Sequence, residues 1–227
     1  MDYAGRIDYL MISKLREPVN GLTHLGGAVF GLVGTFLLLI LGGAGSTGGT
    51  ISIVVYGVSL VTLFLASAIY HLANVEPKVL EILRKLDHSA IFILIAGTYT
   101  PFCVIAFKGY FHWGLLGIIW AIAITGILVK IFFIRSPRWL NATVYVVMGW
   151  LCISAAGQMS ALPAGAAAWL IAGGVIYTLG AVVYSLKLMD FWPGRFGFHE
   201  AWHVFVLLGA LAHFISVFCL LAPFYQV

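Results

Sequence analysis

Charge is what this sequence has least of: 9% of its 227 residues are Asp, Glu, Lys or Arg, where a soluble domain carries about a quarter. That shortage, beside a hydrophobic share of 62%, excludes a water-soluble globular fold. Alternating polarity is lacking too. Runs such as 91–96 and 115–124 are apolar on every face, whereas strands of a transmembrane barrel alternate over roughly 10 residues, so a β-barrel is excluded. No block of Lys or Arg exceeds two adjacent residues, which excludes a nucleic-acid partner despite the net charge of +4. The three cysteines, Cys103, Cys152 and Cys219, lack any CxxC spacing and fall inside apolar runs, so they outline neither a disulfide framework nor a metal knuckle. The first 20 residues mix Asp2, Asp8 and Glu17 with Arg6, Lys14 and Arg16. They lack a short apolar core before a small-residue cleavage site, and a removable signal peptide is not expected.

What is present is length without polarity. Seven apolar stretches fall at 22–41, 51–72, 87–107, 111–133, 142–161, 166–186 and 198–221. Each is about the 20 residues a helix needs to cross a ~30 Å hydrocarbon core. The expected fold is all-α, a polytopic membrane protein of seven transmembrane helices, with an amino-terminal segment over 1–21 and the helical domain over 22–227. Turn chemistry separates the runs at Gly42-Gly43-Ala44-Gly45-Ser46, Arg135-Ser136-Pro137, Leu162-Pro163-Ala164-Gly165 and Trp192-Pro193-Gly194. Gly26-Gly27, Gly173-Gly174 and Gly180 predict close helix packing, which lipid-embedded helices achieve through small residues. No repeat period appears, and an odd number of uninterrupted spans argues against an inverted-repeat transporter.

The basic residues set an orientation. Three precede the first span, three lie in 74–86, three in 130–140 and two in 187–197, leaving Lys108 alone on the other side. The positive-inside rule then puts the amino terminus in the cytosol and the carboxyl terminus outside.

Ionisable groups inside spans are costly and mark function by default. On this topology His71 ends span two, Asp87 opens span three, His199, Glu200 and His203 begin span seven, and His24 lies in the first turn of span one. All fall in one cytosolic layer. His199 and His203, at i and i+4, share a helical face about one turn apart, and Ser67 and His71 repeat that spacing. Three imidazoles with a fourth position left for water is an arrangement zinc accepts. His71, His199 and His203 are therefore candidate zinc ligands. Asp87 is the candidate carboxylate for holding water or orienting a histidine, and could equally cap its helix beside Arg84-Lys85. Ser67, one turn deeper, could hydrogen-bond to water or substrate.

The remaining histidines are weaker candidates. His213 lies ten residues past His203, about 15 Å along the helix, too far for one ion. His88 is expected to point elsewhere on its helix, His24 to be an interfacial polar residue, and His112 to lie at the opposite end. Cys103, about 24 Å from Asp87 along span three, is out of reach. His199-Glu200-Ala201-Trp202-His203 matches H-E-x-x-H, in which the Glu of metalloproteases is a general base. Only His213 and no acid follows it, so Glu200 is read instead as a carboxylate favoured at a helix amino terminus.

Four groups of residues together carry a resemblance. They are Thr23-His24-Leu25-Gly26; Ser67-Ala68-Ile69-Tyr70-His71; Leu86-Asp87-His88-Ser89 with Ala96-Gly97-Thr98-Tyr99-Thr100-Pro101-Phe102; and His199-Glu200-Ala201-Trp202-His203-Val204-Phe205. Across essentially its whole length the chain resembles the bacterial hemolysin III branch of the progestin and adipoQ receptor superfamily. The resemblance implies seven transmembrane helices with a cytosolic amino terminus. It also implies a zinc ion held by one His of helix two and two of helix seven, at His71, His199 and His203, with Ser67 and Asp87 beside it. Alkaline ceramidases share this Ser, Asp and three-His pattern, and the adiponectin receptors are thought to hydrolyse ceramide. The short amino-terminal segment departs from the receptors and leaves no domain for recruiting signalling partners. Bacterial members are linked to membrane fluidity and lipid homeostasis.

Three functions follow as expectations. The first is a zinc-dependent membrane hydrolase of a lipid amide or ester, ceramidase-like, with Asp87 as proton acceptor and Ser67 as oxyanion donor. The second is a receptor or sensor in which zinc only pins helices together. The third is a pore-forming hemolysin. The partner expected is a membrane lipid, as substrate or ligand; oligomeric state is left open.

Overall fold

The computed structural model describes residues 15–42, 45–192 and 196–224. Residues 1–14 of the amino-terminal segment, Gly43 and Ala44 of the first turn, Pro193 and Gly194 of the last, and the end of the carboxyl-terminal tail lie outside the described residues.

Among the described residues the chain is helical, with seven helices long and apolar enough to cross a membrane. They are α1 (Pro18–Gly42), α2 (Thr47–Leu72), α3 (Pro77–Pro101), α4 (Tyr110–Phe132), α5 (Arg138–Trp150), α6 (Ala164–Leu186) and α7 (Phe198–Leu221). A π-helical turn, Phe102–Ala106, prolongs α3, and a 3₁₀ stretch, Leu151–Ala161, prolongs α5. The amide of Gly49 donates to Ser46 Oγ at 3.1 Å to cap α2, meeting one of the donors a helix start leaves unpaired.

Consecutive helices pack as neighbours except α4 and α5, which hardly touch, and α7 returns to close against α1. The bundle is therefore a ring with one lateral gap. Glycines set several of the approaches: a Cβ at Gly173 would meet the His213 ring at 2.2 Å, and one at Gly180 would meet Phe205 at 2.5 Å. Gly26 faces open space, so the expected close packing holds at its neighbour Gly27 but not there.

The third helix corrects one expectation. It starts at Pro77, so Asp87 lies nearly three turns inside it and is no helix cap. Residues 77–86 carry Lys78, Glu81, Arg84 and Lys85. Their charge ends the apolar run, yet Pro77 at the first helical position starts the helix where its missing N–H costs nothing. Hydropathy marks where lipid begins, whereas the backbone marks where the helix does.

A histidine cluster at one end of the bundle

Four helices bring polar groups to one layer. His71 sits in the last turn of α2, His199 and His203 in the first two turns of α7. One ligand atom from each of these three lies within 4.8 Å of the others. Between His199 and His203 the Nε2 atoms are 3.2 Å apart. Two imidazole nitrogens on a tetrahedral ion at about 2.05 Å would stand about 3.3 Å apart, so the α7 pair already has the spacing of one edge of that tetrahedron. Ring centroids of His71 lie 4.6 Å from His203 and 5.2 Å from His199. His203 and His71 are buried, and the Nδ1 of His203 has no hydrogen-bond partner among the described residues. The donor set, three imidazoles with no thiolate, suits zinc among the metals that favour nitrogen.

Asp87, from α3, and Ser67, one turn before His71, are both buried and lie close to one another. Both line the cavity that the histidines close. All five expected site residues thus meet in one place. His88 does not point away: its Nδ1 stands 3.2 Å from Asp87 Oδ2, and its ring also faces the cavity. His112 and Cys103 lie toward the other end, as expected, with His112 beside the Phe107 carbonyl.

The structure adds residues that the sequence reading passed over. Glu17, immediately before α1, engages His71 Nδ1 through Oε2, and its own amide donates to the His71 carbonyl at 2.9 Å. A carboxylate can only accept, so Nδ1 donates and the ring's remaining lone pair is on Nε2. The hydrogen bond from His71 holds the Glu17 carboxyl below the usual carboxylate range, against the opposing effect of partial burial. Arg16 reinforces the same junction by donating to the Tyr70 carbonyl at 2.6 Å. From the next turn, Asn20 Nδ2 donates to Glu200 Oε1 at 2.9 Å, while Glu200 Oε2 accepts from the Gly197 amide at 2.8 Å. Both oxygens of Glu200 are therefore committed to holding the start of α7, and the literal H-E-x-x-H match does not make it a base.

His24 is the other departure. It is not interfacial: because α1 packs on α7, it is buried with its ring stacked 3.9 Å from that of His203 and edge-on to Phe64. Neither of its ring nitrogens makes a hydrogen bond of good geometry. A polar stripe could have revealed this side of the site, since Glu17, Asn20 and His24 stand at i, i+3 and i+7.

The cavity, about 270 Å³, leads from this layer into the bundle between largely apolar walls that include Leu63, Ile91, Leu94 and Val206. His213 lines its far part and donates from Nε2 to the Leu170 carbonyl at 3.2 Å, a packing role separate from the cluster. Apolar depth beneath a polar mouth suits a molecule with a hydrocarbon tail.

Comparison with known proteins gives consistent findings. The profile of the family described as Haemolysin-III related matches residues 12–214. The chain is 38% identical over 218 residues to the Hemolysin-3 homolog of Bacillus subtilis (strain 168), covering 94% of this chain and 99% of that one. Hemolysin-3 of Bacillus cereus is 38% identical over 209 residues, 91% of this chain and 92% of that one. More distantly, the Adiponectin receptor protein of Drosophila melanogaster is 27% identical over 178 residues, 70% of this chain and 40% of that one.

Proposed function

This chain belongs to the haemolysin-III-related family, and on that premise we propose that it is a zinc-dependent hydrolase of a lipid amide or ester. It is an integral, multi-pass membrane protein, and its Bacillus relatives suggest the cell membrane as its place. The observation that carries the reading is the convergence of His71, His199 and His203 to within 4.8 Å at the polar end of an apolar cavity. The proposed orientation sets this layer on the cytosolic side, supported by eight of the nine Lys and Arg among the described residues falling in segments at that end.

In this reading His71, His199 and His203 hold the ion. Bound there, zinc supplies Lewis-acid polarisation of a carbonyl and a more acidic water. Glu17 keeps the proton of His71 on Nδ1 and the ring fixed in orientation, the part carboxylates play behind metal-bound imidazoles. Asp87 accepts the proton of the attacking water. Ser67 has a single hydroxyl proton, and in the structure Asp87 is its neighbour. Once Asp87 is protonated it can donate to Ser67 Oγ, which frees the serine hydroxyl to turn to the developing oxyanion. The apolar walls position the tail of the lipid and keep bulk water from the reacting carbonyl.

Elemental analysis of protein purified without chelators tests this, for wild type beside His71→Ala, His199→Ala and His203→Ala. We expect a single zinc per chain in wild type and none in each variant. A wild-type protein without metal would remove the reading. Zinc-loaded protein that turns over no amide or ester lipid would favour a second one, a sensor with structural zinc, to which the similarity to the adiponectin receptor protein points. Vesicle leakage that survives loss of all three histidines would favour the lysin that the relatives' names describe.

A further inference from the structure

Lys130 is 4% exposed at the last turn of α4. Among the described residues its ammonium donates only to neutral groups, Asn141 Oδ1 and, at 3.4 Å, Ser136 Oγ. A buried ammonium without a counter-charge is costly, and here its surroundings add to the cost. Arg84 adds repulsion; it lines the histidine cavity that Asn141, the acceptor of Lys130, also faces, and Arg138 begins the helix of Asn141 about one turn earlier. Three cations therefore gather around one rim.

No described carboxylate answers them. The ion pairs among the described residues are Arg16–Glu17, His71–Glu17, Lys85–Glu81 and His88–Asp87. Glu200 is committed to Asn20 and Gly197. Arg138 lies over the Phe198 ring at 5.2 Å, a contact that leaves its charge unneutralised.

The rim also has a shape. Arg84 lines the histidine cavity, Lys130 lines a second hollow of about 440 Å³ in the gap between α4 and α5, and Asn141 and Tyr145 line both. That second hollow is walled by Phe92, Ile122, Leu140 and Val144. Outside it, Ile124, Leu128 and Val147 are exposed apolar residues of the faces that a spanning helix turns to lipid. A ligand entering here needs hydrocarbon against the walls and negative charge at one end.

We propose that Arg84, Lys130 and Arg138 form a site for the phosphate of an anionic phospholipid, entering sideways between α4 and α5 with its headgroup at the mouth of the histidine cavity. Phosphate is the matching chemistry because its several oxygens can accept from an ammonium and a guanidinium together. The lipid, rather than a free phosphate, is favoured by the apolar hollow that continues from Lys130. This deepens the proposed function by giving the substrate class a phosphate-bearing headgroup, and to that extent rests on it.

The test compares binding of phosphatidylglycerol and phosphatidylcholine of the same chain length to the full-length protein in a neutral detergent, by native mass spectrometry. The variants are Lys130→Met, Arg84→Gln and, as a control outside the rim, Lys78→Gln, with zinc content measured on every sample. Wild type should prefer phosphatidylglycerol by roughly tenfold, about 1.4 kcal/mol, because both lipids offer the same phosphate oxygens but only phosphatidylcholine brings a fixed positive charge against the three cations. The preference should fall to near parity in Lys130→Met and Arg84→Gln and persist in Lys78→Gln. Should Lys130→Met fail to fold, Arg84→Gln decides, and Lys130→Arg should keep the preference. Equal binding of the two lipids by wild type, or a preference surviving in both rim variants, would overturn the proposal. Displacement of the lipid by glycerol 3-phosphate at matching concentration would overturn its lipid part, because chains would then add nothing. Preference without zinc would sink the hydrolase and leave this site standing.

Discussion

At the scale of single residues, the carboxylate behind His71 is the most exposed to test. Glu17 fixes a tautomer and adds basicity to the imidazole, and losing such a partner costs roughly 10–100-fold in metal affinity. Glu17→Gln is therefore expected to weaken zinc binding by that order in competition with a coloured chelator, while zinc still saturates at high concentration. Asp87 should behave oppositely. Asp87→Asn should keep its zinc and lose lipid turnover by about 10²–10⁴-fold, the usual contribution of a general base; a variant that lost zinc in proportion to activity would make Asp87 structural. That His71, His199 and His203 come together was legible because spacing and depth are written in the sequence. Glu17 and His24 were not, since a carboxylate ahead of an apolar run looks like a solvated charge. A histidine one turn inside looks interfacial until its helix is known to lie against α7.

Among the elements, α3 does most to shape the cavity, and it is the most enclosed of the spans. Its Tyr99 hydroxyl reaches the point where α5 changes into a 3₁₀ stretch: it donates to the Gly149 carbonyl at 2.7 Å and accepts from the Cys152 amide at 2.7 Å. Those are backbone groups that the change of helix type would otherwise leave unpaired. Tyr99→Phe removes the bridge and nothing else, and should destabilise the folded protein by about 1–3 kcal/mol. Thermal unfolding in detergent would read this as a lower midpoint, and an unchanged midpoint would show the break to be self-sufficient. Apolar length made the fifth span recognisable, but it cannot distinguish α from 3₁₀ winding. That difference lies in hydrogen-bond partners brought from α3, which sequence distance hides.

For the whole molecule, the count of seven spans was legible because the lipid core sets a length that few other constraints compete with. The start of α3 was not, because charges end an apolar run without ending a helix. The proposed orientation rests on the placement of charge and predicts opposite compartments for the two termini. A membrane-impermeant thiol reagent applied to intact cells should label a cysteine added at the carboxyl end and spare one added at residue 2, in a variant lacking Cys103, Cys152 and Cys219. The reverse pattern would place the histidine layer outside.

The bond from Asn20 to Glu200 joins residues 180 positions apart, and the contact between Glu17 and His71 begins from the same few residues. A ribosome makes the first of these partners early and the last near the end. The first helix must therefore wait in the membrane with Asn20 and His24 unmet until the seventh arrives and the ring shuts. A chain stopped before α7 could insert, but it would have Glu17 and His71 without His199 or His203. Completion of the histidine cluster, the proposed metal site, thus reports completion of the protein, and a truncated copy lodged in the bilayer would carry no working fragment of it.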